Sequence, residues 1–248
     1  MLSPTYTAVL LLAFLSGFTT LIGVALAIIF KKTVKGIAIG IGFSAGIMLL
    51  ISFFELIPES TGSAGILQTS IAIFLGILLI ASLNFIIPHT HLVKEKSKFE
   101  KHLLKTAYLI AFGLILHDFP EGFAMANSYI FSPSLGLLVA LAIAIHNIPE
   151  EFAMAVPIVL VKNKGFLFKA AFLSGLAEPA GAVLGLFAVH FLPALNPLFM
   201  SFAAGAMIFV SIHELFPMAI RYKKLKLFIL GIILSISAYL VLGILIPE

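Results

Sequence analysis

His117, Asp118, Pro120 and Glu121 stand in the segment HDFPEGFAMA, and His146, Asn147, Pro149 and Glu150 in HNIPEEFAMA; the two segments, 117–126 and 146–155, are identical at seven of ten positions. In each, His and Glu are four residues apart, so on a helix they share one face and can close on a single ion. The proline between them deletes a helical hydrogen bond, to the carbonyl of Leu116 in one case and of Ile145 in the other. Such freed carbonyls serve as further ligands or water anchors. Glu178 followed by Pro179 repeats the device and releases the carbonyl of Gly175. Two imidazoles with carboxylates suit a borderline divalent ion, Zn²⁺, Fe²⁺ or Mn²⁺, better than Ca²⁺, which prefers oxygen alone. A hydrogen-bonded knot clamping the helices is the structural alternative. Two His, five acids and three Pro in register argue against it.

The elements that must position these residues are membrane helices. The 248 residues are 61% hydrophobic and 10% charged, with a mean hydropathy of +1.19, against roughly half and about a quarter in soluble domains. At 1.5 Å per residue, a hydrocarbon core of about 30 Å takes roughly 20 residues. Apolar stretches of that length cover 5–30, 36–57, 66–87, 106–129, 135–161, 169–191, 197–220 and 227–247. That makes eight spans and a single transmembrane domain over 1–248, with no room for a soluble one. Period-2 strands separated by turns are absent, so the fold class is all-α. The first run is too long for a signal-peptide core and lacks preceding basic residues, which reads as a retained helix. The absence of Cys excludes a disulfide framework, thiolate metal sites and Cys nucleophiles. The net charge of +4 is scattered over short loops, which excludes nucleic acid as a partner.

The 15 Lys and Arg fall in the loops after the first, third, fifth and seventh spans: Lys31 to Lys35, Lys94 to Lys105, Lys162 to Lys169 and Arg221 to Lys226. Cytoplasmic loops keep the Lys/Arg excess, so both termini face outside. The loop 88–105 also holds His89, His91 and His102, and reads as a solvated loop because three His without fixed spacing make a weak metal site. In this topology the fourth and fifth spans run in opposite directions, so the likeness between their motifs is inverted. The same holds for the second and seventh spans, where Phe43 to Pro58 (FSAGIMLLISFFELIP) and Phe202 to Pro217 (FAAGAMIFVSIHELFP) agree at eight of sixteen positions. Inverted repeats with interrupted helices and a site near the midplane are the architecture of secondary transporters.

Seven of the 11 acidic residues lie inside the spans: Glu55, Asp118, Glu121, Glu150, Glu151, Glu178 and Glu214. A charge at a helix centre costs roughly 2.5 to 3.5 kcal/mol on insertion scales, and clustered carboxylates repel. They must be protonated or share a cation. His117, His146 and His213 among them favour the cation, since neutral imidazole is the commonest metal ligand. Met48 is core filler or a thioether softening the site. Glu55 and Glu214, close to Pro58 and Pro217, are entrance and exit groups or merely interfacial, and His190 is interfacial. Gly40, Gly42 and Gly46 let the second span approach a neighbour closely.

With these motifs, the chain resembles the ZIP (Zrt/Irt-like) metal-ion transporters over essentially its full length, in particular the bacterial ZupT-like branch. GFSAGIMLLISFFELIP in the second span and SGLAE in the sixth also look like that branch. The resemblance implies an all-α integral membrane protein of eight helices with inverted repeats arranged 3+2+3, multi-pass in the cell (inner or plasma) membrane. It implies uptake of divalent metal into the cytoplasm through a binuclear midplane site. His117, Glu121, His146 and Glu150 would hold the first metal with Met48 as an adjunct; Asp118, Glu121, Asn147, Glu150 and Glu178 would hold the second, the Glu residues bridging. Helices 1, 4, 5 and 6 would move against 2, 3, 7 and 8, and His213 and Glu214 match a region linked to metal exit. The implied partners are the metal ions (Zn²⁺, also Fe²⁺, Mn²⁺, Co²⁺ or Cd²⁺) and the lipid bilayer, with a homodimer allowed. Neither a resident cofactor nor an enzymatic activity is expected.

Two positions depart from the family pattern: Asp118 stands where the motif has Asn, and Glu151 where it has Gly. An added anionic oxygen at Asp118 shifts preference toward harder ions, Mn²⁺ or Fe²⁺. Glu151 lies about 100° round the helix from Glu150, so it points away from the site or is protonated or paired, and it joins the accessory pathway groups. The rival functions are a proton-coupled cation antiporter or channel, told apart by whether flux needs or opposes a pH gradient, and a membrane metalloenzyme using a metal-bound water. The second lacks an H-E-x-x-H motif and a substrate groove.

Overall fold

The computed structural model describes residues 3–30, 34–86, 117–160, 164–221 and 223–247, and all regular structure among them is helical. α1 (Pro4–Ile29) begins where the Ser3 hydroxyl accepts from the Tyr6 N–H at 3.3 Å, with Pro4 in the first turn where no N–H is required. α2 is continuous over three pieces, Val34–Ile51, a π-helical turn Ser52–Leu56 and Ile57–Ala64. Gly65, at φ +85°, reverses the chain into α3 (Ile66–Ile86). α4 is described over 117–131, and Ser132 alone separates it from α5 (Pro133–Leu160). α6 (Lys164–Phe191) runs through Pro179. A 3₁₀ turn, Pro193–Leu195, leads into α7, built of Asn196–Val210, a second π-helical turn Ser211–Leu215 and Phe216–Arg221, and α8 is Leu225–Leu245.

Among the described residues seven helices are long and apolar enough to cross a membrane, at the places expected for the first three and the last four spans. The first half of the fourth expected span and the His-bearing loop 88–105 lie outside the described residues. Two boundaries differ by five residues or more: α6 begins at Lys164 rather than at Lys169, and α2 ends at Ala64 rather than at Ile57. A proline interrupts a regular α-helix, but the π turn pairs the Ile57 N–H with the Ser52 carbonyl, five residues back, so the ladder has already shifted register before Pro58 arrives. α7 does the same, with Phe216 bonding the Ser211 carbonyl ahead of Pro217.

Among the described residues, large apolar side chains face outward as lipid allows, and polar ones are buried beside an apolar core. Phe14, Phe18, Phe74, Phe172 and Phe187 are exposed, whereas Ser16, Thr20, Ser44 and Ser174 are buried. α1 lies on α5 and α6, α2 on α8, and α3 on α7. Glycine sets the closest approaches: a Cβ on Gly122 of α4 would strike the Glu178 carbonyl of α6, and one on Gly181 would strike the Phe119 carbonyl in return. Two groups result, α1, α4, α5 and α6 on one side and α2, α3, α7 and α8 on the other. They meet where α2 crosses α5 and where Phe123 of α4 packs edge-on against Phe199 and Phe202 of α7. This packing follows the repeats, since α2 against α8 corresponds to α7 against α3.

Candidate metal centre

The two His-x-x-x-Glu motifs face each other across the α4–α5 hairpin. His117 Nε2 lies 2.7 Å from Glu150 Oε1, and His146 Nε2 lies 3.1 Å from Glu121 Oε1. Equivalent residues of the two motifs thus make equivalent pairs with the helices reversed, as antiparallel neighbours must when each motif fills one face. Burial is complete enough to exclude bulk water: His117, Asp118, Glu121, His146, Asn147, Glu150, Glu151 and Glu178 are each at most 4% exposed.

The hydrogen bonding around His146 fixes its chemistry. Its Nδ1 faces the Ala142 carbonyl at 2.9 Å, and a carbonyl only accepts, so Nδ1 carries the proton. In the neutral ring Nε2 then presents a lone pair to the Glu121 carboxylate. Two lone pairs at 3.1 Å require a proton or a cation between them. A ring held by Nδ1–H to a backbone carbonyl, with Nε2 free to coordinate, is the usual arrangement of a metal-binding His. Ser44 of α2 steadies the same turn by donating to the His146 carbonyl at 2.9 Å.

α6 closes the site from the third side. Asn147 Nδ2 donates to Glu178 Oε1. Ser174, four residues before Glu178 and on the same face, places its hydroxyl against Asp118 Oδ2 and at 2.7 Å from Glu151 Oε1. One hydroxyl proton cannot serve both carboxyls, so a second proton or a cation must be shared there too. Among the described residues, His117 Nδ1, Glu121 Oε2, both Glu150 oxygens and Glu178 Oε2 lack hydrogen-bond partners. Glu150 Oε1 approaches His117 Nε2 closely but off the line that a hydrogen bond needs. Buried acceptors left without donors are unfavourable unless something else neutralises them. No three of the described His, Asp or Glu side chains are disposed to hold one ion as they stand. They meet in pairs, and a cation would have to draw the pairs together.

The remaining expected residues are distributed around this centre. Glu151 does not turn to the surface: it is 3% exposed and directed at α6. The room for its side chain comes from α1, where a Cβ on Gly23 would meet Glu151 Cβ at 2.7 Å. Met48 is fully buried, and its sulfur lies 3.6 Å from the Ser211 hydroxyl of α7. Glu55 accepts from the Tyr239 hydroxyl of α8, and Glu214 from Asn84 Nδ2 of α3 at 3.1 Å. His213 is exposed and stacks on Phe209, so it shares neither the face nor the surroundings of Glu214. His190 is exposed near Tyr6. Sequence reasoning missed Ser174, Ser44, Tyr239 and Asn84. Ser174 alone carried a signal, its four-residue spacing to Glu178.

The family model described as ZIP Zinc transporter matches residues 88–247. Among curated proteins, the zinc transporter ZupT of Streptococcus mutans is 38% identical over 250 residues, covering 92% of this chain and 93% of that protein. The zinc transporter ZupT of Chlorobium luteolum is 36% identical, covering 94% and 95%. That of Corynebacterium aurimucosum is 39% identical, covering 84% and 85%.

Proposed function

Because the chain belongs to the ZIP zinc transporter family, we propose that it takes up divalent transition-metal ions across the cell membrane through a midplane site on α4, α5 and α6. The observation that carries this reading is the reciprocal pairing of His117 with Glu150 and of Glu121 with His146, with carboxylate oxygens left unpartnered around it. In the proposed loaded state, His117, Glu121, His146 and Glu150 hold one metal. Asp118, Asn147 and Glu178, with Glu121 and Glu150 bridging, hold a second. The mixed nitrogen and oxygen donors suit Zn²⁺, Fe²⁺ or Mn²⁺. The metal is the cargo, and its charge is what allows so many carboxylates to face one another out of water.

With both termini outside, Glu55 belongs to the outer end of the path, near the α4–α5 turn at Ser132, with which it lines one cavity. Glu214 belongs to the inner end, beside Asn84 and close to where α3 leads into the lysine-rich loop. Alternating exposure follows if α1, α4, α5 and α6 shift as a body against α2, α3, α7 and α8, the division that the packing supports. A second reading, proton-coupled transport, draws on the single Ser174 hydroxyl shared by Asp118 and Glu151. A pH gradient that drives or opposes flux distinguishes it.

The test is influx into proteoliposomes loaded with a metal-sensitive dye, with Zn²⁺, Mn²⁺, Fe²⁺ and Ca²⁺ presented in turn. Transition-metal influx that Glu121→Ala abolishes is the expected result. Tight binding without influx in either protein would overturn uptake and point to a structural or catalytic metal.

A further inference from the structure

Between the two helix groups lies an apolar hollow of about 440 Å³, lined among the described residues by Leu79 and Leu83 of α3, Pro120 and Phe123 of α4, Leu184 of α6 and Phe199 of α7, with Ala203 and Ala206 as its floor. It is roughly three times the size of the ~150 Å³ apolar cavity that stays dry and accepts benzene. Polar groups are all but absent from its walls, so water has nothing to bond to there. Left empty, a space of this size forfeits dispersion contacts along every wall, which protein interiors do not tolerate. An apolar occupant would restore those contacts.

The mouth of the hollow identifies the occupant. Leu79 and Leu184, which line it, are also 45% and 48% exposed, and Leu75 and Phe187 continue the same exposed faces along α3 and α6. The opening therefore gives onto the hydrocarbon of the bilayer. α6 and α7 barely touch here, so the gap between them is a slot rather than a closed void. We propose that this hollow binds one acyl chain of a membrane lipid, seated between Pro120 of α4 and the Phe199 side of α7. The chain occupies the seam that must slip if the two groups move against each other. That functional clause rests on the transport reading above; the binding itself does not. Held in the seam, the lipid tail substitutes for direct contact between α6 and α7, and its packing sets how readily the groups slide.

The chain contains no Trp, which makes a single introduced Trp a clean reporter. Phe199→Trp, on the slot wall, and Phe172→Trp, on the exposed face of α6, are each reconstituted as the full chain in vesicles of phosphatidylcholine with brominated acyl chains. Bromine quenches Trp on contact. Quenching of the half-buried Phe199→Trp reporter to at least about half the extent of the exposed reporter is expected. Adding Ala203→Leu with Ala206→Leu, or in a separate variant Leu83→Phe, fills the slot and should abolish quenching at 199 while leaving it at 172. Zn²⁺ influx by the filled variants should fall several-fold with Zn²⁺ binding unchanged. A Phe199→Trp reporter shielded from bromine overturns the proposal, whether the slot has closed or a second copy of the chain covers it. So does quenching that the filling substitutions fail to alter. Quenching as expected in a protein that moves no metal would overturn the transport reading and leave the lipid site standing.

Discussion

Glu55 and Glu214 occupy the same place, the fourth residue, of two π-helical turns, Ser52–Leu56 and Ser211–Leu215, that match each other within the repeated segments 43–58 and 202–217. Each turn inserts one residue into the helical register and so rotates the glutamate inward, to Tyr239 in one case and Asn84 in the other. In the proposed topology, which puts Glu55 at the outer end and Glu214 at the inner, their loss should act on different steps. Glu55→Gln is expected to raise the external Zn²⁺ concentration for half-maximal influx several-fold. Glu214→Gln should lower the maximal rate while leaving that concentration nearly unchanged. Influx curves over a range of Zn²⁺ decide it, and identical effects of the two variants would refute the assignment.

Glu121 and Glu150 each serve one His directly and, in the proposed loaded state, both metals. Glu121→Gln and Glu150→Gln should therefore each lose more activity than the ~10- to 100-fold that follows removal of an outer partner. The double variant should be little worse than either alone, because groups acting as one unit are not additive. Multiplicative losses in proteoliposome influx would mean that the two glutamates act independently.

Metal that draws the buried pairs together binds the folded protein alone and must stabilise it. At about 100 times the dissociation constant the gain is about 2.7 kcal/mol. Melting of the purified protein in detergent with and without Zn²⁺ measures this. His146→Ala, which removes the Nε2 donor, should abolish the shift.

Close helix contacts make a sharp contrast among glycines. Gly122→Ala drives a methyl into the Glu178 carbonyl and should destabilise by about 1 to 3 kcal/mol, as overpacking does. Gly62→Ala, with nothing within 4 Å of the new carbon, should be neutral or stabilising by up to about 1 kcal/mol. Thermal melting of both variants checks the pair.

Asp118→Asn and Glu151→Gly remove the two carboxylates at which the resemblance implies departures from the family motif. Both reach the Ser174 hydroxyl, so each should shift preference from Mn²⁺ toward Zn²⁺ in competition uptake. An unchanged ratio in both would show that the extra acids do not set selectivity.

Much of the site was legible because lipid imposes local rules. His117 with Glu121, and His146 with Glu150, share a helix face by spacing alone, and no acid sits in a span without a reason. What spacing does not contain is depth and rotation relative to a neighbour. That His117 reaches Glu150 rather than closing on its own Glu121 depends on the register of the α4–α5 hairpin. Spacing left open whether Glu151 points away or is protonated or paired; its position beside Ser174 depends on Gly23, more than a hundred residues earlier, leaving space for it. His213 adjoins Glu214 in sequence, yet it is exposed on Phe209 while Glu214 is buried beside Asn84.

Composition and spacing were enough for the all-helical membrane character, for seven of the eight expected spans and for the paired repeats. Each follows from composition or from spacing within one helix, where backbone hydrogen bonding in hydrocarbon leaves a single solution. Which donors meet, how α2 continues past Pro58, and where an apolar slot separates the two groups emerge only in the assembled bundle. Those depend on side-chain volumes on several helices at once, since close packing settles helix rotation and offset only when all the neighbours are present.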